Sequence, residues 1–492
     1  MNTLGINHIL FDEFETKSIR YCHWKSNEHL LAGLLGDTDL DILVHSEDRA
    51  TVEQVFDHLY IKRFVAVKMS YYPGLQDYLG FDWITGKLIH VHLHYKLSIG
   101  EKFLKNYDLP WADKVLTSSR LSSGYKVKIS DPYLELFHLF LRESLKIRSR
   151  DYIMQILGKS YLSENFYREY IWLVKQTKEE KICKIAQQCL SIGSDNILES
   201  LMCLPSFWSL ARLRCKTRKA LREYRRLSTT EGWIERHLRE LNWLIGAISK
   251  RLVQPPHPFR RTMVGSAGLI IAIVGIDGAG KSTIVKIIKK WLSWKMDVYL
   301  VYFGSGDGSS SFLRLPMLLA LRVFKRYKRG SNTNRHKTHK KRKLTFARFL
   351  WAIALAFEKR NKMKKLLKAK NKGMVVLTDR YPQTCQPGFN DGPLLTDLLD
   401  NKFGVLKKIA KWEYSIYFNC ERLGPDLLIK LMVSPDTAAH RKSGMNKELL
   451  KERKDVIEMM QKTYPDRVCV VNAEKTLESV LIEIKRAIWN RI

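Results

Sequence analysis

The sequence predicts an α/β protein: a C-terminal parallel sheet with helices on both faces, preceded by an α+β region and a helical middle region. Three observations lead there. Beyond residue 266, the short apolar runs LIIAIVG (269–275), VYLVYFG (298–304), MVVLTDR (374–380), DLLIKLMV (426–433) and VCVVNA (468–473) alternate with helix-length segments, the pattern of strands buried on both faces. Up to about residue 130 strand and helix patterns mix, and from there to about 250 the pattern stays helical. VQPPHPFRRT (253–262), with three prolines in ten residues, reads as a linker. The expected divisions are therefore 1–130, 131–252, a linker at 253–265, and 266–492.

Taken in order, DLDILV (39–44) is a buried strand and DRATVEQVFDHLY (48–60) an amphipathic helix. DYLGFDWITGKLIHVHLHYKL (77–97) divides into two strands around a Thr85-Gly86 turn. Asp131-Pro132 starts a helix, because Asp caps an N-terminus and Pro tolerates the first helical position; Leu136, Phe137, Phe140 and Leu141 follow on one face.

At 492 residues the chain exceeds one ordinary core, and 45% hydrophobic with 11% aromatic residues supplies packed interiors, which excludes a disordered protein. The eight cysteines are scattered with no CxxC pair, which suits a reducing cytosol. No leader pattern opens the chain and no apolar run reaches bilayer length, so the expected location is cytoplasmic. The net charge of +34, from 84 basic and 50 acidic residues, predicts attraction to nucleic acid, anionic lipid or a phosphorylated substrate; solvated surface lysines are the plainer account.

The sharpest motif is IVGIDGAGKSTIV (273–285), in which Gly275 to Ser282 fits GxxxxGK[ST]. Its glycines let backbone N–H groups approach phosphates, Lys281 reaches the β- and γ-phosphates, and Ser282 ligates Mg²⁺. A buried strand precedes the loop and the helical STIVKIIKKWLSW follows it, as the motif demands. The expected ligands are ATP and Mg²⁺, with Gly275, Asp277, Gly278, Ala279, Gly280, Lys281, Ser282 and Thr283 around the nucleotide.

GIDGAGKST followed by VVLTDRYP resembles thymidylate kinase. The resemblance implies that Asp379 organises Mg²⁺ and the acceptor, that Arg380 neutralises the transferred group, and that Asp277 faces the acceptor's sugar. Arg360 stands close to the family's acceptor-phosphate arginine. LLIKLMVSPDTAAHRK resembles the family's strand, proline and lid helix, and Gly278 resembles the branch whose lid supplies cations. His440, Arg441, Lys442, Lys447, Lys451 and Arg453 are the lid candidates, with Arg441 best placed; for any single one a solvated helix face is the better account. Two departures matter. FGSGDGSSS (303–311) stands where the family has an EPGGT-like segment, and DRYPQTCQPGFNDGPLL follows the Asp-Arg pair, a departure that resembles kinase-like proteins found with capsule and O-antigen polysaccharide genes.

In the front region, LLGDTDLDILV (34–44) puts Asp39 and Asp41 on one face of a strand, as two carboxylates sharing Mg²⁺ must be. With WKSNEHLLAG before it, this resembles the nucleotidyltransferase superfamily of DNA polymerase beta, in its branch with degenerate motifs. The resemblance implies that Lys25-Ser26 stands where a small-residue pair holds triphosphate, and that a third carboxylate lies on a neighbouring strand, with Asp82 one strand back. His90, His92 and His94 share a face; they line the same pocket, ligate zinc, or form an exposed face, and a solvated Asp39/Asp41 pair remains the plain alternative.

Together these features predict an ATP-dependent kinase of the nucleoside monophosphate (thymidylate) type, with Lys281, Asp379, Arg380 and Arg441 catalytic. Its acceptor is a small phosphate compound, a nucleoside monophosphate or a sugar phosphate, and a bifunctional enzyme of nucleotide-sugar or surface polysaccharide supply is the fuller form. The alternatives are a nucleotide kinase with a non-catalytic front domain, and a nucleic-acid-binding ATPase, against which stands the lack of helicase-type motifs. A second copy of the chain, as a homodimer, is a further candidate partner. Residues 322–343 hold eleven Lys or Arg among 22 residues and no acid, behind the apolar FLRLPMLLALRVF. An apolar stripe beside a basic run suits an anionic membrane surface at the inner face, with polyphosphate or nucleic acid the runner-up; a solvated insertion weighs as much as those two together.

Overall fold

The computed structural model describes residues 3–190, 196–265, 267–304, 346–388, 391–442 and 446–492. The basic segment 322–343, the apolar stretch before it and most of FGSGDGSSS lie outside the described residues. The chain divides into two compact units, one of residues 1–248 with 259–264, the other of 249–258 with 265–492.

The first unit is built on an eight-stranded mixed sheet. Its strands are β1 (Tyr21–His23), β2 (Asp39–Val44), β3 (Lys62–Ala66), β4 (Leu75–Phe81), β5 (Leu88–His94), β8 (Arg120–Leu121), β9 (Lys128–Ile129) and β10 (Arg261–Met263); β6 (Leu97–Ile99) and β7 (Tyr107–Leu109) pair separately. The order is β10-β3-β4-β5-β2-β1-β9-β8. Strands β4 and β5 form the hairpin expected around Thr85-Gly86, and β2 runs parallel to β5. β10 lies inside the stretch read as linker; three residues bounded by turns are too short to show a period, and only pairing with β3 makes them a strand.

Alternation divides this sheet's faces. Leu40, Ile42, Val44, Ile89, Val91 and Leu93 join one core with Phe14 and Phe56 from the helices Gly5–Thr16 and Arg49–His58. Asp39, Asp41, His90, His92 and His94 therefore point to the other face.

The helical middle packs around Pro132–Lys146, whose Asp131 cap accepts from the Tyr133 N–H at 2.9 Å. This helix is buried nearly all round: Leu134, Leu139 and Leu145 are covered as well as Leu136, Phe137, Phe140 and Leu141. It also buries Glu135, whose carboxylate accepts from Asn27 N–H at 2.8 Å and Asn27 Nδ2 at 2.7 Å.

The second unit holds a five-stranded sheet of order β12-β13-β11-β14-β15, parallel throughout. These are β11 (Ile270–Gly275), β12 (Val298–Tyr302), β13 (Val375–Asp379), β14 (Leu427–Met432) and β15 (Val468–Asn472), matching the five apolar runs. Successive residues of β13 and most of β11 are buried, so both pleat faces are covered. From central β11 the chain leaves first toward β12 and β13 and later toward β14 and β15, so the crevice at the carboxyl ends opens beside it. Among the described residues, no helix is long and apolar enough to cross a membrane.

Burial, and next the neighbouring Glu169, pushes the Glu135 carboxyl up to about 8. The folded state then holds a proton that the unfolded chain releases near pH 4.5, so this group's contribution declines as pH rises from about 4.5 to 8. Melting temperatures across that range should fall in the native protein and fall less in Glu135→Gln; parallel profiles would show the carboxyl ionising as in the unfolded chain.

Candidate functional site

The carboxyl end of β11 runs into the Gly-rich loop and the helix Lys281–Leu292. Two backbone positions make the loop possible. Gly278 (φ +88°) and Gly280 (φ +83°) are both left-handed, and a Cβ on Gly278 would stand 2.5 Å from the Ala438 carbonyl oxygen. The loop thus lies against the helix Pro435–Arg441 with no room for a side chain.

Around it opens a cleft of about 640 Å³ lined by Asp277, Gly278, Gly280, Lys281, Ser282, Thr283, Tyr302, Asp379, Arg380, Arg441, Lys442 and Arg453. Five cationic side chains face two carboxylates there, a balance that suits a polyphosphate. Asp277 gathers the cations. Its Oδ1 lies 3.0 Å from Arg380 Nη2 and 3.8 Å from Lys281 Nζ, and its Oδ2 accepts from Arg453 Nη1. Burial alone would raise the Asp277 carboxyl, but Arg380, Lys281 and Arg453 together bring it below its ordinary value. Burial, and then Arg380, lowers the Lys281 ammonium to about 8; it donates to the Ile276 carbonyl at 2.8 Å. Arg380 follows β13 with φ +70°, a conformation that costs a non-glycine residue roughly 1–3 kcal/mol and turns its guanidinium toward the loop.

Ser282 Oγ donates to Asp379 Oδ2 at 3.3 Å. Asp379 Oδ1 is buried with no hydrogen-bond partner among the described residues, and burial raises this carboxyl despite Lys281 and Arg380. A hydroxyl beside an orphaned carboxylate oxygen fits a hard divalent cation that takes its remaining ligands from phosphate and water.

The structure thus brings Gly275, Asp277, Gly278, Ala279, Gly280, Lys281, Ser282, Thr283, Asp379 and Arg380 together, with Arg441 at the rim, where Nη1 donates to the Ala473 carbonyl at 3.0 Å. Asp277 is held by arginines. Arg453, one of six lid candidates, makes the closer contact than Arg441. Arg360 is not brought to the cleft: it is exposed on the helix Phe346–Asn371. Its neighbour Lys359 is the buried cation, with Nζ 3.0 Å from Asp391 Oδ1, and Asp391 Oδ2 lies 3.7 Å from Arg380 Nη1. The signal was available, since Ala352, Leu355, Ala356, Met363 and Leu366 mark a buried stripe on which position 359 falls and 360 does not.

In the first unit, Asp39 and Asp41 stand opposite His90 and His92 across the β2–β5 pair. Lys25 Nζ lies 2.9 Å from Asp41 Oδ1, while Ser26, at φ +56°, gives its N–H and Oγ to Glu169 Oε1 at 3.2 and 3.4 Å. Asp82 lies away from this group, accepting from the N–H groups of Ile6 (3.2 Å) and Thr85 (2.8 Å). The third carboxylate is Asp77 of β4, opposite His92, buried and held well below its ordinary value by His90 and His92 against the opposing effect of burial. Counting back from the hairpin turn gives this register, because the Thr85-Gly86 turn sets the pairs 81–88, 79–90 and 77–92.

No protein-family model matches the chain. The chain is similar to the uncharacterized ATP-binding protein YghS of Escherichia coli K12, 31% identical over 190 residues that cover 37% of this chain and 77% of that protein. It is also similar to the uncharacterized ATP-binding protein YghR of the same organism, 28% identical over 181 residues, or 35% of this chain and 68% of that one.

Gly278→Ala should destabilise the second unit more than Gly280→Ala. Both incur the left-handed backbone cost of about 1–2 kcal/mol, but only the first drives a methyl into the Ala438 carbonyl, whereas nothing lies within 4 Å of a Cβ on Gly280. Thermal melts of the two variants measure the difference; equal losses would mean the loop yields freely at Gly278.

Proposed function

The chain belongs to the family of the Escherichia coli ATP-binding protein YghS, and on that premise we propose that its second unit binds ATP with Mg²⁺ and is a phosphotransferase of the thymidylate kinase type. The observation that carries this is the convergence of Lys281, Arg380 and Arg453 on Asp277, beside the Ser282–Asp379 pair and at the carboxyl end of the sheet. Phosphoryl transfer asks the protein for positioning and charge stabilisation. The loop's backbone N–H groups cradle the β- and γ-phosphates, and Lys281 exchanges its Asp277 and carbonyl contacts for phosphate oxygens. Arg380, from the strand side, and Arg453, with Arg441 and Lys442, close on the transferred group from two directions. Ser282 and Asp379 would hold Mg²⁺, which supplies neutralisation of phosphate charge. We read the acceptor as a nucleoside monophosphate or sugar phosphate, and the setting as cytoplasmic supply of nucleotide sugars or surface polysaccharide. An anionic membrane surface is the partner proposed for the basic run 322–343.

For the first unit two readings stand, a nucleotidyltransferase-like domain with its Mg²⁺ at Asp39 and Asp41, and a non-catalytic domain. The second has a specific observation in its favour: Glu169 occupies the Ser26 N–H and hydroxyl, putting a carboxylate where triphosphate would bind.

Nucleoside monophosphates and sugar phosphates assayed with ATP and Mg²⁺ should reveal one acceptor class. Lys281→Met should abolish transfer with the fold intact, and unchanged turnover in that variant would overturn the kinase reading. Asp379→Asn and Arg380→Ala should each lower turnover at least about tenfold; a change in melting temperature alone would make the pair structural.

A further inference from the structure

The polar face of the first unit's sheet carries a more specific arrangement than two carboxylates. His90 and His92 both place Nε2 against one oxygen, Asp77 Oδ1, at 2.9 and 3.1 Å. Donation of the His90 Nε2–H group to that carboxylate leaves its Nδ1 as a lone pair on the opposite side of the ring; a metal at His92 Nδ1 would select the same tautomer there, with Nε2–H on Asp77 in place of the Arg261 Nη2 that stands 3.0 Å from it. Those Nδ1 atoms face β2: His90 Nδ1 is 2.8 Å from Asp39 Oδ1, and His92 Nδ1 is 3.8 Å from Asp39 Oδ2 and 3.3 Å from Asp41 Oδ1. A lone pair and a carboxylate oxygen at such distances are reconciled by a cation between them, either a proton or a metal ion.

We propose that Asp39, His90 and His92 form a binding site for a first-row transition-metal dication of the zinc class, with Asp77 orienting both imidazoles and Asp41 beside the remaining coordination position. Their ligand atoms all lie within 4.8 Å of one another. With metal–nitrogen and metal–oxygen bonds of about 2.0–2.1 Å, ligands of a tetrahedral ion stand about 3.4 Å apart, and the two Asp39–imidazole separations, 2.8 and 3.8 Å, lie on either side of that. A carboxylate accepting the far N–H of a ligating histidine is the usual support of such sites. Arg261 holds Asp77 from β10, with Nε 2.8 Å from Asp77 Oδ1. Two imidazoles and one carboxylate suit zinc, cobalt or iron, whereas Mg²⁺ prefers oxygen ligands throughout. Asp39, at 28% side-chain exposure, is the route of entry. Lys25 and His94 hold Asp41 in place through Oδ1, at 2.9 and 3.1 Å.

This inference rests on the first unit alone and is independent of phosphotransfer. The test uses the full chain, freed of metal by a chelator, and titrates Zn²⁺ and Co²⁺ in the absence of nucleotide. The native protein should take up one equivalent of Zn²⁺ at least about a hundredfold more tightly than Mg²⁺, with visible absorption on Co²⁺ loading. Asp39→Asn and His92→Gln, both at partly exposed positions, should each lose that equivalent, and Asp77→Asn should weaken it about ten- to a hundredfold. Lys281→Met should bind as the native protein does. No tight equivalent in the native chain, or an unaltered one in both Asp39→Asn and His92→Gln, would overturn the proposal; the first result would mean that a proton on Nδ1 fills the gap.

Discussion

One carboxylate organises the cleft. Lys281, Arg380, Arg441, Lys442 and Arg453 come from the loop's helix, the end of β13 and the helices that follow β14, and at close quarters they would repel one another. Asp277 stands among them, contacting Arg380, Arg453 and Lys281 from inside the loop itself. It holds three distant parts of the chain in one charge-neutralising contact, and in the proposed reaction those are the cations that phosphates would take over. The left-handed glycines on either side of Ala279 give the loop the shape that puts Asp277 there.

Much of this was legible in the sequence, for reasons that differ from part to part. The three central strands of the second sheet were visible because burial on both faces demands uninterrupted apolar runs, and β11, β13 and β14 consist of little else; the edge strands β12 and β15 carry apolar runs too, though they are mostly half-buried. The loop was visible because its backbone conformations demand glycine at fixed offsets. Which cations reach the cleft was harder to read, since that depends on helix phase and on how the helix Lys447–Thr463 packs. Lys359 could have been preferred to Arg360 from the buried stripe, and Arg453 to Lys451 in the same way, since 453 falls on the face marked by Leu450, Val456, Ile457 and Met460 and 451 does not.

The polar face of the first sheet shows the other limit. Asp39 and Asp41 announce themselves by spacing, and so do the three histidines, yet their meeting depends on β2 pairing with β5, strands far apart in sequence. Glu135, Glu169 and Arg142 carry no local signal at all. They sit in helices whose patterns predict packing, and only the fold shows that Arg142 Nη2 lies 2.8 Å from Glu169 Oε2, with Glu169 in turn holding Ser26. Buried polar groups of this kind must find partners somewhere, but sequence does not say where.

The short strand β10 has a practical meaning for anyone dividing the chain. Its residues Arg261–Met263 come after the long helix Thr229–Leu252 and a run of prolines, in a place where a cut is tempting. Their N–H and C=O groups nevertheless complete the ladder on β3 and close that end of the sheet. A piece ending at the prolines would bare the backbone of β3 along its outer side, and an open strand is a template for pairing with another chain. Solubility of the isolated first unit, and not only its chemistry, therefore depends on three residues that arrive from across the prolines.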